Sequence, residues 1–394
     1  MKTFLLFIES YTAGGSDYVA KLLINNLNVN KVIVMVNRGA DRKILFSEAL
    51  PSNVEICTYN LFTPTELSNF ANHFSEHKVA FFLLRLLELA LRYPLMLISF
   101  GYFFFKLRKK QITHFFAHNG GYPGGSFCAT ASFAASTLKG VRCFFAYHSM
   151  PVPRGKWTRF FDGILDAVLD ERCTMISVSE RSAQALQELR GFQQMPVCIY
   201  NGLSESEMKG YRRRDTLKLL HIGYFDSNKN QIMLLHVLKS LIDKGYGDVE
   251  LTFVGAVSEE SAYKKVVRFV DQHNLHQYVK FEGFRKDVSS YYYDNDVLLL
   301  CSKTEGFPMV VLEAMRVGMP VVATKVGGIG EQVVHDVNGF LVEPEGETAM
   351  AMRLIDFMHH PEMIADMGRE ARDLFQRKFT LSKMIDKYEQ VLDL

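Results

Sequence analysis

SKTEGFPMVVLEAMRVGMPVVATKVGGIG, residues 302–330, is the stretch that predicts the fold of this chain. Val297–Leu300, just upstream, is an apolar run typical of a strand, residues 310–317 have the pattern of a helix, and residues 320–324 form a second strand-like run. This order predicts a parallel α/β sheet. Glu305 is then expected at the carboxyl end of a strand, where open α/β sheets bind their ligands.

The two glutamates of this stretch, Glu305 and Glu313, are eight residues apart and flank Gly306-Phe307-Pro308. Backbone amides at the start of a helix favour an anion such as phosphate. Two carboxylates repel a phosphate and instead accept hydrogen bonds from hydroxyl groups, and a nucleotide sugar carries hydroxyls on both sides of its diphosphate. The pair therefore favours a nucleotide sugar. With 43 acidic residues in the chain, the spacing alone also arises by chance, as a helix with a solvated acid.

Strand-like and helix-like segments alternate along almost the whole chain. At 394 residues, of which 48% are hydrophobic, the chain can form two domains with separate cores. The repeated βα pattern predicts two parallel sheets with helices on both faces. The predicted strands are Thr3–Ile8, Val32–Val36, Val54–Tyr59, His114–His118, Cys143–Tyr147, Met175–Val178, Leu217–Ile222, Glu250–Val254, Val279–Glu282, Val297–Leu300 and Val321–Ala323.

The distribution of charge indicates which kinds of partner are expected, and the spacing of the cysteines indicates the compartment. Residues 1–200 hold 21 Lys and Arg against 14 Asp and Glu, whereas the remainder holds 24 against 29. A basic first half suits an anionic surface. No nucleic-acid-binding motif accompanies that charge, so nucleic acid is not an expected partner. The six cysteines are scattered without a CxxC pair or metal-ligand spacing, which favours reduced thiols and the cytoplasm.

Residues 79–110 are the most apolar segment and end in a cluster of Lys and Arg. Arg85, Glu88 and Arg92 interrupt it, which makes it a poor transmembrane span, and they fall on one narrow stripe of a helix. Pro94 is expected to end or kink that helix. Two interpretations stay open. The segment is either a core helix with one solvent-exposed edge, or a helix that lies in the interface of an anionic membrane near a lipid-linked acceptor.

The segment around Glu305 and Glu313 resembles the E-x7-E signature of retaining GT-B glycosyltransferases of family 4, and the resemblance extends over nearly the whole chain. It implies two Rossmann-like domains that face each other across a cleft. Residues 1–205 would form the acceptor-binding domain, with the helix 381–394 packing back onto it, and residues 206–378 the donor-binding domain. In that family the first glutamate contacts the donor sugar and the second the ribose hydroxyls, roles that fall on Glu305 and Glu313.

The resemblance also assigns roles in the first half. Gly14 and Gly15 match the glycine loop that lies under the donor diphosphate, although a Gly-Gly pair alone is only a tight turn. His148 follows a strand and matches the histidine that bonds a hydroxyl of the donor sugar, where a lone histidine would more often be structural. Ser16, His118 and Asn119 are expected on the acceptor side.

In the second half, the family places an arginine and then a lysine after the first strand, and both hold the diphosphate. Lys229 matches the lysine, and Tyr224 stands in the arginine's place, which puts one phosphate contact in doubt. His148, Lys229 and Glu305 are thus the predicted catalytic residues. The predicted donor-binding residues are Gly14, Gly15, Gly223, Gly283, Phe284, Arg285, Gly306, Phe307, Pro308, Met309, Val310 and Glu313, of which Gly283 to Arg285 would hold the nucleobase.

The resemblance implies a retaining, metal-independent glycosyltransferase that needs no cofactor. A UDP-sugar is the preferred donor and GDP-mannose the second choice, and the acceptor would be a lipid-linked or cell-envelope glycan at the inner face of the cell membrane. Asp294-Asn295-Asp296 has the D-x-D form of metal-dependent glycosyltransferases. The resemblance places it at a helix-to-strand turn, away from the donor, so no metal site is expected.

Two other enzyme classes fit the same architecture. A sugar-nucleotide epimerase of the GT-B fold would consume a nucleotide sugar without an acceptor. A dinucleotide-dependent enzyme would also have paired Rossmann-like domains, but it requires a G-x-G-x-x-G after the first strand. Ala13-Gly14-Gly15-Ser16 stands there instead.

Overall fold

The computed structural model describes residues 2–11, 14–38, 50–72, 74, 77–156, 158–210 and 214–394. The chain divides into two compact units, residues 1–199 with 385–394, and residues 200–384. Each unit is an α/β structure with its own parallel sheet and its own core. The assignment of acceptor and donor binding to the two halves stays a prediction.

The first unit contains a seven-stranded sheet in the order β3-β2-β1-β4-β5-β6-β7. Its described strands are β1 (Thr3–Ile8), β2 (Lys31–Asn37), β3 (Val54–Tyr59), β4 (His114–Asn119), β5 (Arg142–Tyr147), β6 (Thr174–Ser177) and β7 (Val197–Cys198). Its described helices are α1 (Gly15–Asn26), α2 (Pro64–Asn72), α3 (Lys78–Arg108), α4 (Ser126–Ser136), α5 (Arg159–Arg172) and α6 (Glu180–Arg190).

The second unit contains a six-stranded sheet in the order β10-β9-β8-β11-β12-β13. Its strands are β8 (Leu217–Ile222), β9 (Val249–Val254), β10 (Val279–Phe281), β11 (Val297–Leu300), β12 (Val321–Thr324) and β13 (Gly339–Val342). Its helices are α7 (Gln231–Asp243), α8 (Glu260–Gln272), α9 (Ser289–Asp294), α10 (Met309–Val317), α11 (Ile329–Gln332), α12 (Glu347–His359) and α13 (Glu362–Lys378). A last helix, α14 (Leu381–Leu392), begins in the second unit and ends in the first.

The strands could be predicted from the sequence because they are apolar and buried on both faces of the sheet. All four residues of β11 and of β12 are buried, as expected for parallel strands with helices on either side. The predicted fold class of two Rossmann-like domains is confirmed, and all predicted strands are present to within a few residues. The short edge strands β7 and β13 were not predicted.

Both sheets reverse their strand order at one point, between β1 and β4 in the first unit and between β8 and β11 in the second. Loops that leave neighbouring strands at such a point run in opposite directions and leave a crevice at the carboxyl edge of the sheet. Lys229 follows β8 and Glu305 follows β11, so the crevice of the second unit lies between these two predicted site residues. In the first unit, the glycine loop follows β1 and His118 lies at the end of β4.

The helix α3 differs from its sequence-based expectation at Pro94. It runs from Lys78 to Arg108 through Pro94, so Pro94 does not end it. Arg85 and Arg92 are partly exposed and bond groups of the neighbouring helices α2 and α5. None of the helices in the described ranges is long and apolar enough to cross a membrane.

Candidate functional site

The loops after β8 and β11 are joined by an ion pair between the Lys229 ammonium and the Glu305 carboxylate. Glu305 Oε1 also accepts a hydrogen bond of 2.7 Å from Ser302 Oγ. The Lys229 side chain is 23% exposed and that of Glu305 is 11% exposed, so solvent screens the pair only partly. The structure therefore brings two of the three predicted catalytic residues into contact, and it adds Ser302, which was not predicted.

Asn228 and Asp226, also not predicted, fix the position of Lys229. Asp226 Oδ1 accepts hydrogen bonds from the backbone amides of Asn228 (2.9 Å) and Lys229 (2.7 Å). The Asn228 side chain bonds both backbone groups of Thr304, at 3.1 Å each. A short polar loop of this kind reads in sequence only as a turn, and its link to Thr304 spans 76 residues.

Glycine backbones pack directly beneath these loops. A Cβ atom at Gly327, whose φ is +52°, would lie 1.6 Å from the Glu305 carbonyl oxygen. Similarly, a Cβ atom at Gly255 would lie 1.9 Å from the Gly223 carbonyl oxygen. The amide of Gly328 donates to the carbonyl of Gly306 at 3.1 Å. Because glycine has no side chain, the backbone at Gly327 and Gly255 can pack directly against the carbonyl groups of Glu305 and Gly223.

Glu313, in the second turn of α10, is hydrogen-bonded by the buried hydroxyl of Tyr292 on α9. Burial raises the pKa of Glu313, while the Tyr292 hydroxyl and the nearby Arg316 act in the opposite direction. Burial also raises the pKa of Tyr292 well above its usual value, so the phenol stays a donor. Glu313 is thus held in one orientation by a fixed partner.

The predicted donor-binding run from Gly306 to Val310 offers backbone rather than side chains. Phe307 is 3% exposed and stacks on Tyr200, with ring centroids 5.1 Å apart. Pro308 is buried and is the N-cap of α10, where no side chain caps the helix. Met309 and Val310 are half-buried in the first turn. Amides at the start of this helix suit an anionic group.

The predicted nucleobase segment follows β10. Gly283 accepts a hydrogen bond of 2.8 Å from the amide of Gly255, which ties it to the loop after β9. Phe284 is exposed, and Arg285 pairs with Glu282 at 2.9 Å. An exposed aromatic ring and backbone edges at this position can contact a base.

The D-x-D sequence lies at the other edge of the same sheet. Asp296 precedes β11, accepts a hydrogen bond of 2.9 Å from the Lys218 amide and is near Arg214. Its buried carboxylate therefore has a structural role at the start of β11. Among the residues that the structure describes, no cluster of three or more His, Cys, Asp or Glu side chains could hold a metal ion.

In the first unit, the glycine loop leads into α1. Gly14 is the N-cap of this helix, its amide donates to Asp17 Oδ2 at 3.0 Å, and Gly15 is the first helical residue. The Ser16 carbonyl oxygen lies 2.7 Å from His118 Nε2. The end of β4 is therefore tied to the glycine loop, and Asp17 is a supporting residue that was not predicted.

The rings of His118, which is buried, and His148, which is half-buried, have centroids 4.2 Å apart. Burial lowers the pKa of His118 to about 4 and that of His148 well below its usual range, so both rings are neutral at pH 7. Neither nitrogen of His148 has a protein partner among the described residues, although both are buried. Buried polar atoms are normally hydrogen-bonded, so these nitrogens are candidates for contact with a ligand.

Asn119 and Glu9 shape a cavity of about 240 Å³ in the first unit. The Asn119 side chain bonds Pro123 and Gly125 and so closes a turn rather than pointing freely outward. Glu9, which was not predicted, accepts from the Phe127 amide at 2.8 Å, and burial raises its pKa. The walls thus contain hydroxyl, carboxyl and amide groups but no described Lys or Arg.

The second unit is similar in sequence to a family of known proteins. Residues 205–374 match the model of the family described as glycosyl transferases group 1. The matched segment contains Lys229, Ser302, Glu305 and Glu313. It covers nearly all of the second unit, and the first unit lies outside it.

Among individual proteins, the chain is 33% identical over 175 residues to an uncharacterized glycosyltransferase of Haemophilus influenzae, covering 44% of this chain and 48% of that protein. It is 29% identical over 204 residues to N-acetyl-alpha-D-glucosaminyl L-malate synthase of Bacillus anthracis, covering 49% and 52%. The chain thus spans about half the length of the curated relatives it matches. The crystal structure of HepE from Anabaena in complex with UDP aligns over 100% of both chains, with a TM-score of 0.77 and 18% identity, which shows a shared fold.

Proposed function

We propose that this protein is a glycosyltransferase that moves a sugar from a nucleotide diphosphate sugar to a hydroxyl group of an acceptor, with retention of the anomeric configuration. The observation that carries the proposal is the contact of Lys229, Glu305 and Ser302 at the point where the second sheet reverses its strand order. The family match over residues 205–374 and the names of the relatives support it.

The donor is proposed to be a UDP-sugar, with GDP-mannose as the second choice. The support comes from HepE, whose structures include complexes with UDP and with UDP-glucose. Glu313 would accept hydrogen bonds from the ribose hydroxyls, and the backbone after Gly283 would contact the base. The buried Tyr292 hydroxyl holds the Glu313 carboxylate in place for that role.

In the transfer itself, the bond between the anomeric carbon and the diphosphate oxygen breaks, and its electron pair leaves with the diphosphate. The acceptor hydroxyl oxygen forms the new bond to the anomeric carbon, and its proton passes to the departing diphosphate oxygen. Lys229 and the amides at the start of α10 would stabilise that charge, which is the work a metal ion does in other enzymes. Glu305 would orient a hydroxyl of the sugar. His148, neutral at pH 7, would form a hydrogen bond with a hydroxyl of the sugar rather than act as a strong base. No metal or cofactor enters this scheme.

The first unit is proposed to bind the acceptor, a lipid-linked or cell-envelope glycan, at the inner face of the cell membrane. Hydroxyl, carboxyl and amide groups around the cavity near Glu9 suit sugar hydroxyls. Each of the six cysteines carries a thiol rather than a disulfide, which is consistent with a reducing compartment.

The proposal is tested by incubating the protein with a panel of nucleotide sugars, including UDP-glucose and GDP-mannose, and measuring binding and slow hydrolysis. A UDP-sugar should bind and be hydrolysed slowly, and Glu313→Ala should weaken binding by roughly ten- to 150-fold, because a bond to a charged group contributes about 1.5–3 kcal/mol. If no nucleotide sugar binds, or if the variant binds as well as the parent, the site assignment is wrong. Formation of an isomeric nucleotide sugar without an acceptor would indicate an epimerase.

The Tyr292 hydroxyl provides a separate prediction. Tyr292→Phe leaves the Glu313 carboxylate without its donor, and such a loss costs about 1–3 kcal/mol. We expect the affinity for UDP, measured by calorimetry, to fall by roughly five- to tenfold at pH 7. Tyr293→Phe is the matched control, because the hydroxyl of Tyr293 bonds the Glu207 carbonyl instead of a site residue. Equal affinities of the two variants would refute the positioning role of Tyr292.

A further inference from the structure

The solvent-facing side of α3 is its apolar side. The large hydrophobic residues exposed along it recur at helical spacing: Val79, Phe82, Leu83, Leu86, Leu87, Leu91, Leu97, Ile98 and Phe105. Val79 is 74% and Leu97 76% exposed. At about 1.5 Å per residue, the stretch from Val79 to Ile98 extends roughly 30 Å. A helix on the surface of a globular protein normally has the opposite arrangement.

The charged residues in the middle of α3, Arg85, Glu88 and Arg92, lie on the side that faces the protein. Arg85 donates to Ser68 Oγ at 2.6 Å and to Asn72 Oδ1 at 3.0 Å, both at α2, and also pairs with Glu88. Arg92 lies 3.6 Å from the buried carboxylate of Asp162 on α5. These contacts fix the rotation of the helix about its axis, so the apolar side is held outward by specific polar bonds.

The apolar surface continues from α3 onto α5. The rings of Tyr93 and Phe161 are in contact, with centroids 4.2 Å apart and planes tilted by 33°. Phe160, which is 73% exposed, and Ile164 extend the surface beyond this contact. A contiguous exposed apolar patch over two helices marks a surface that is covered by something else in the working protein.

Positive charge lies at the ends of this surface and indicates what covers it. Of the seven Lys and Arg in residues 78–110, Arg85, Arg92, Lys106 and Lys110 bond groups of the protein. Exposed Arg108 and Lys109 lie just past the last exposed apolar residue of α3, and exposed Lys156 and Arg159 lie beside Phe160 in the sequence. Two copies of such a surface would repel each other, whereas anionic lipid headgroups would attract it, by about 1 kcal/mol per basic residue near the membrane surface.

We infer that the surface formed by the exposed residues of α3 and by Phe160, Phe161 and Ile164 of α5 docks on an anionic lipid bilayer, with α3 lying in the plane of the interface. Its apolar residues would enter the boundary between headgroups and acyl chains, and the cations at its ends would contact the headgroups. The inference goes beyond the proposed transfer reaction, since it rests on the first unit alone and requires no catalytic residue.

The experiment measures co-sedimentation of the full chain with vesicles of equimolar phosphatidylglycerol and phosphatidylcholine, and with vesicles of phosphatidylcholine alone. The parent protein should bind the anionic vesicles more tightly, and added salt should weaken that binding. Phe82→Ser combined with Leu97→Ser should reduce the affinity by roughly tenfold or more, because each side chain loses its apolar burial. Met352→Ser is the matched control, since Met352 is also on a helix and 57% exposed, but it lies in the second unit.

Three results would overturn the inference: no binding of the parent to anionic vesicles, equal binding of the parent and the double variant, or a concentration-dependent dimer that the double variant abolishes. The last would identify the surface as a contact between two copies of the chain. Both exposed side chains can be changed without opening a core, and UDP binding measured on the same variant confirms that it is folded. Loss of vesicle binding with unchanged UDP binding also separates this inference from the proposed function.

Discussion

Lys229→Ala is expected to lower kcat/KM for sugar transfer by about 100- to 1,000-fold, the effect of removing one donor that stabilises developing negative charge. Lys229 reaches the site from the loop after β8, and its ammonium contacts Glu305. Tyr224 stands where the resemblance implies a second cation, so we expect the loss to be the more severe. Steady-state kinetics with a UDP-sugar and an acceptor measure the effect.

Lys244→Ala is the matched control for that variant, since Lys244 is exposed at the opposite end of α7. It should leave kcat/KM within about twofold of the parent, as expected for a surface substitution away from the site. Lys229→Arg should restore part of the activity, because it keeps the charge but not the shape of the ammonium. Activity of Lys229→Ala within threefold of the parent would remove Lys229 from the mechanism.

Gly327→Ala is expected to destabilise the second unit by about 3 kcal/mol or more and to abolish donor binding. The new methyl group would lie 1.6 Å from the Glu305 carbonyl oxygen, and the backbone at φ +52° is unfavourable for any residue with a side chain. Relief of the overlap requires the loop that carries Glu305 to move. Urea unfolding monitored by circular dichroism, together with UDP titration, measures both effects.

Gly330 provides the control for this substitution within the same segment. A Cβ atom at Gly330 meets no atom within 4 Å, and the residue is exposed in α11. Gly330→Ala should therefore change stability by less than about 1 kcal/mol, in the stabilising direction if it changes at all. If Gly327→Ala is as stable and binds UDP as well as Gly330→Ala, the close approach described here is wrong.

The strands were predictable because parallel strands buried on both faces read as continuous apolar runs, as in Val297–Leu300. The edge strands β7 and β13 escaped prediction for the opposite reason. β7 has only two residues, and β13 begins at Gly339, so neither offers an apolar run of useful length. The orientation of α3 was not predictable from its pattern, since amphipathicity identifies two faces but does not say which one meets the protein.

The sequence predicted individual residues of the candidate site but not the hydrogen bonds that hold them in place. Resemblance selected Lys229, Glu305 and Glu313, yet the bonds that hold them come from Asp226, Asn228, Ser302 and Tyr292. The link between Tyr292 and Glu313 spans 21 residues and joins two helices, and nothing in the tyrosine's sequence context distinguishes it from its neighbours. Contacts of this kind depend on tertiary packing, which a single sequence does not encode in any local pattern.

Because the apolar side of α3 faces solvent, the substitutions that this helix tolerates differ from those that most surface helices tolerate. On most surface helices a charged position can be varied freely, and an apolar position cannot. Here Arg85 and Arg92 anchor the helix to its neighbours, whereas Leu86 and Leu97 contribute little to folding. Mutational scans that report stability alone will therefore mark the two arginines as essential and the leucines as dispensable, and only an assay that includes lipid will reveal what the leucines do.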